Sequence, residues 1–81
     1  MKVLIKIKRS PEQLFLVNLV NKKITEEVKS LISKRNHSQA ITVALTKGIF
    51  EGELDCERQG LSADLILTED SASWDATKSS N

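Results

Sequence analysis

Apolar and polar residues alternate from Lys2 to Lys8: Val3, Ile5 and Ile7 fall on one side, and Lys2, Leu4, Lys6 and Lys8 on the other. A period of two is that of a half-buried strand. Arg9-Ser10-Pro11-Glu12-Gln13 interrupts it. Ser10 before Pro11, with Gln13 third after it, suits a helix start, and Ser-Pro equally opens a turn. Leu14–Val20 is apolar on every side of a helix but β-rich in composition, and it reads as a second strand.

From Ile24 the period becomes helical. Thr25 suits an N-cap, and Glu26 and Glu27 fall in the first turn, where the helix dipole favours anions. Val28, Leu31 and Ile32 form one apolar stripe, and Lys34 and Arg35 close the last turn, which predicts a helix over about 25–35. Asn36-His37-Ser38 breaks the stripe, and either Asn36 or Ser38 can cap the next helix. Ile41, Ala44, Leu45, Gly48 and Ile49 restart the stripe, predicting a second helix over about 38–51 that ends at Gly52. A glycine inside a helix costs about 1 kcal/mol relative to alanine. Close approach of a partner helix near Ala44 and Gly48 is the physical reason to keep one there.

Past Gly52 the pattern thins. Leu54, Leu61 and Leu65-Ile66-Leu67 are apolar islands in acidic sequence, and residues 68–81 are rich in Ser and Thr around a single aromatic, Trp74. A segment this poor in apolar surface is expected to be disordered alone and to order on a partner. The chain thus divides into residues 1–52 and an acidic tail, 53–81.

Charge divides near the same point. The 81 residues carry a net charge of +1. Residues 1–50 hold ten cations and three anions, +7, and residues 51–81 hold two cations and eight anions, −6. Such halves see different partners. No apolar run approaches the ~20 residues of a membrane span, and MKVLIKIKR lacks the separate basic and apolar regions of a signal peptide. One cysteine, Cys56, and one histidine, His37, supply neither an internal disulfide nor a cysteine–histidine zinc site. No catalytic constellation stands at a readable spacing. We therefore expect a cytoplasmic chain that is not an enzyme, with no metal and no cofactor. About 50 residues without staples rarely bury a sufficient core, which implies a homodimer.

The order strand, helix, polar turn, helix resembles the ribbon-helix-helix DNA-binding family. The likeness is carried by Lys34-Arg35-Asn36-His37-Ser38-Gln39-Ala40-Ile41 with Ala44-Leu45 one turn later, and by Ile24-Thr25-Glu26-Glu27-Val28. It covers about residues 16–51. It implies an intertwined homodimer whose two-stranded antiparallel ribbon enters the DNA major groove. With Ile24 as the last inward strand residue, Leu19, Asn21 and Lys23 become the base-contacting positions. Lys22 is then a poor inward residue, and a shift of one would make Asn18 and Lys22 the readers. The resemblance also implies a phosphate at the start of the second helix, near His37, Ser38 and Gln39, with Lys34 and Arg35 as charge support. Val28, Leu31, Ile32, Ile41, Ala44, Leu45 and Gly48 become the dimer core. Lys2–Lys8 is an extra strand, hairpinned onto Leu14–Val20. In a second arrangement it is itself the ribbon, with helices over Pro11–Val20 and Thr25–Arg35 and a third over Ser38–Glu51.

Within this family a basic DNA-binding half and an acidic tail resemble the antitoxin of a toxin–antitoxin pair. That resemblance implies a transcriptional repressor of its own promoter whose tail neutralises a toxin, with Leu65, Ile66, Leu67 and Trp74 as partner-binding residues. The alternative is a protein-only interaction module or inhibitor with no DNA role. Plainer readings exist for single residues: Lys22-Lys23 as a solvated turn, His37 as a solvated histidine, Trp74 as a stray aromatic, and Cys56, lacking a cationic setting, as an inert thiol.

Overall fold

A computed structural model describes residues 1–60 and 62–74. Two helices pack on one face of a five-stranded mixed sheet. The strands are β1 (Lys2–Ile7), β2 (Gln13–Asn18), β3 (Ile49–Leu54), β4 (Leu65–Thr68) and β5 (Ala72–Trp74), in spatial order β3-β2-β1-β4-β5. The helices α1 (Lys22–Ser33) and α2 (His37–Lys47) connect β2 to β3. No helix among the described residues is long and apolar enough to cross a membrane.

β1 and β2 form the expected hairpin, in antiparallel register from Lys2 opposite Asn18 to Ile7 opposite Gln13. β1 is also bonded in parallel to β4, with Val3 beside Leu65 and Ile5 beside Leu67. A central strand is covered on both faces, which explains why Val3, Leu4 and Ile5 are all fully buried. The expectation that Leu4 points to solvent is therefore corrected. Val3, Ile5, Val17, Leu19, Leu65 and Leu67 form the helix-side core with Val28, Ala40, Ile41, Val43 and Ala44. Leu4, Leu14 and Ala63 form a second cluster on the opposite face, flanked by Leu16, Leu54 and Ile66.

This arrangement corrects the two-stranded ribbon. The strand before α1 is β2, and both its edges are already bonded, to β1 and to β3. It has no free edge with which to pair with a second copy. Residues 22–24, expected in a strand, open α1 instead. The residues assigned to a dimer core serve the single chain: Val28, Ile41 and Ala44 are buried in it, and Leu31 and Ile32 pack against it. Leu45 is exposed.

The acidic tail is corrected too. Glu53 and Leu54 end β3, and β4 and β5 complete the sheet. Leu65 and Leu67 are fully buried. Sequence periodicity missed this because a four-residue strand carries no readable period, and its apolar surface is worth burying only beside β1, about sixty residues earlier. Residues 75–81 and Leu61 lie outside the described residues.

Gly48 does stand at a close approach, but of a different kind. It is the C-cap of α2, and an added Cβ would come within 2.5 Å of Val17 Cγ1 and of the Ala44 carbonyl oxygen. The neighbour is strand β2, not a partner helix. Gly52, expected to cap the helix, lies in β3 with φ 137°, beside a bulge that shifts the register against β2.

Candidate nucleic-acid interface

Asn21 shapes the start of α1. Its side-chain Oδ1 accepts from the backbone N–H groups of Lys23, at 2.8 Å, and Ile24, at 3.4 Å. It is an N-cap, which satisfies two of the orphan donors at the helix start. The cap falls four residues before the expected Thr25, whose hydroxyl instead donates to the Asn21 carbonyl. Of the three expected base readers, Leu19 is buried in the core, Asn21 caps α1 and Lys23 lies on the helix surface. They share no outward strand face.

Four lysines project from α1 and its C-cap. Lys22 and Lys29 are seven residues apart, and Lys23 and Lys34 eleven apart, so each pair shares a helix face. The two faces adjoin, with Glu26 between them. Lys22 and Lys23 occupy the first turn, which contains no acidic residue. The positive end of the helix dipole disfavours cations there by about 0.3–1 kcal/mol.

Arg35 comes next at φ 61°, in the left-handed region. Its N–H donates to the Ile32 carbonyl and that of Asn36 to the Leu31 carbonyl. These two bonds form a Schellman closure of α1, with arginine where glycine is usual. Holding a non-glycine residue there costs roughly 1–2 kcal/mol. Asn36 then precedes α2 without a side-chain cap bond. The sequence Lys34-Arg35-Asn36 thus turns sharply into His37-Ser38-Gln39 at the start of α2, with all but His37 of these six exposed.

Four cations outside α1 and its turn are paired, whereas Lys8 and Arg58 have no carboxylate ion-pair partner among the described residues. Lys2 pairs with Glu51 at 3.5 Å, Lys6 with Glu12 at 3.9 Å, Arg9 with Glu69 at 3.9 Å and Lys47 with Glu27 at 3.3 Å. Among the described residues, no carboxylate pairs with Lys22, Lys23, Lys29, Lys34 or Arg35. Glu69, in the segment expected to be a partner-binding tail, pairs with the chain's own Arg9, and Glu51 pairs with Lys2.

Beside the α2 start lies an open cleft of about 390 Å³, lined by Ile7, Arg9, Ser38, Ile41, Thr42 and Glu69. On its rim the β4–β5 turn is tied by Thr68, whose hydroxyl contacts Asp70 Oδ1 at 2.8 Å and accepts from the Ser71 N–H. The Thr68 hydroxyl, then the Lys8 ammonium, hold the Asp70 carboxyl below its usual range. Asp70 therefore supports this turn above its ordinary pKa of 3.8, and that support fades as pH falls below it.

Of the expected partner-binding residues, Leu65 and Leu67 are core, Ile66 is half-buried behind the sheet, and Trp74 is 41% exposed on β5. No group of three or more His, Cys, Asp or Glu suited to a metal ion occurs among the described residues. Comparison with family models, curated proteins and solved structures gives no match to this chain.

Proposed function

We propose that the protein binds duplex DNA through its helical layer, as a small repressor-type regulator. The observation that carries this reading is the set of five cations on α1 and the α1–α2 turn, unpaired among the described residues. Lys22, Lys23 and Arg35 sit where helix electrostatics or backbone geometry opposes them. Phosphate neutralisation is a function that accounts for cations retained at such positions. The start of α2 contributes N–H groups to the same surface.

The ribbon-helix-helix resemblance lends this reading its helix pair and basic connection. Base reading by an intermolecular ribbon over residues 16–24 forms no part of it, because β2 is paired on both sides. If the protein is also an antitoxin, its toxin would be held through the exposed Trp74 region, since Leu65 and Leu67 support the fold.

Replacing Lys22 and Lys23 by glutamate tests the reading with opposed signs. First-turn acids should raise stability, by about 0.3–1 kcal/mol each, while duplex affinity falls at least about tenfold. Fluorescence anisotropy on duplex DNA and urea unfolding measure the two. Unchanged affinity in the folded variant would overturn the proposal and favour a protein-only module.

A further inference from the structure

Ile49 and Phe50 are the opening residues of β3 and are 53% and 54% exposed, although Phe50 tilts against Phe15 with ring centroids 6.0 Å apart. β3 is an edge of the sheet, six residues long against three for the opposite edge, β5. Among the described residues no strand pairs with its far side, which leaves backbone donors and acceptors open beside apolar side chains. Such a surface ordinarily is blunted or covered. We propose that it is covered by β3 of a second copy, paired antiparallel about a two-fold axis passing between Glu51 and Gly52.

The residues select both the occupant and the register. In this register Ile49 lies opposite Leu54 of the second copy, and Leu54 opposite its Ile49, so each apolar residue meets an apolar one. Glu51 lies opposite Gly52, and Glu53 opposite Phe50, so no carboxylate directly faces another. The space beside Gly52 is open, with nothing within 4 Å of where a Cβ would stand, and Glu51 of the second copy has room there. Lys47 precedes the strand and Asp55 comes after it, so antiparallel pairing brings unlike charges together at both ends. The bulges at Glu51 become neighbours across the axis, and the bend each imposes is matched by symmetry.

An antiparallel pair of identical edge strands has its two-fold axis perpendicular to the sheet. Both helical layers therefore face the same way, and the two α1 surfaces become one basic face over a continuous ten-stranded sheet, twice the five strands of one chain. The pairing itself does not depend on DNA binding, and its test uses none.

Sedimentation velocity of the intact chain should give twice the 9.0 kDa mass, in a concentration-dependent equilibrium. Ile49→Lys, at an exposed position, should weaken the dimer at least about tenfold with the circular dichroism spectrum retained. In case that variant misfolds, Ile49→Cys with Leu54→Cys in a Cys56→Ser background should oxidise to a covalent dimer. Trp74→Cys in the same background should stay monomeric on a denaturing gel. A chain that remains monomeric into the millimolar range overturns the proposal. So does a dimer that neither Ile49→Lys weakens nor the cysteine pair captures.

Discussion

Arg35 is the residue whose conformation and chemistry pull in opposite directions. It ends α1 in a left-handed geometry that glycine adopts freely, yet it carries a charge that no carboxylate among the described residues neutralises. Arg35→Gly should raise stability by about 1 kcal/mol in urea unfolding, while weakening duplex binding. A loss of stability would mean that the arginine side chain supports the fold. Gly48 gives the reverse case. Gly48→Ala drives a methyl toward Val17 Cγ1 and Leu19 Cδ2 and should cost about 1–3 kcal/mol, seen as a lowered urea midpoint. At this scale the sequence is only half legible. Glycine in an apolar stripe does signal close approach, but not which neighbour approaches. Asn21 stands out in the sequence for the wrong chemistry: the amide that could bind adenine instead bonds two N–H groups of its own helix.

Among the elements, β1 and both helices follow from residue periodicity and β2 from its β-rich composition, with ends displaced by up to four residues. Caps account for the displacements. Asn21 starts α1 before Thr25 can, and Gly48 ends α2 so that Ile49–Glu51 are released into β3. The elements after Gly52 are not legible, because they are short and gain their stability from β1. Their removal should therefore be a folding experiment. A chain ending at Gly52 loses β4, opens one edge of Val3-Leu4-Ile5 to water, and should show no cooperative unfolding transition. A truncated chain that still unfolds cooperatively by circular dichroism would return residues 53–74 to the role of a dispensable tail.

For the whole molecule, the charge division lies across the fold as well as along the chain. The helical segment, residues 22–47, holds six cations and two anions, a net +4, and the remainder holds six cations and nine anions, a net −3. Acidic residues of β3 and of the β4–β5 turn fold back onto cations of β1 and its end, pairing Lys2 with Glu51 and Arg9 with Glu69. The cations left unpaired among the described residues are concentrated on α1 and its turn. If this surface neutralises phosphates, the salt dependence of binding reads that directly. Duplex affinity measured across a range of potassium concentrations should fall linearly on logarithmic axes. Five phosphate contacts at ~0.9 each give a slope of about −4 to −5 per chain. The Lys22→Glu, Lys23→Glu variant should flatten it by about 2. A slope near zero in the native chain, or one the variant leaves unchanged, would contradict phosphate neutralisation by α1 and its turn.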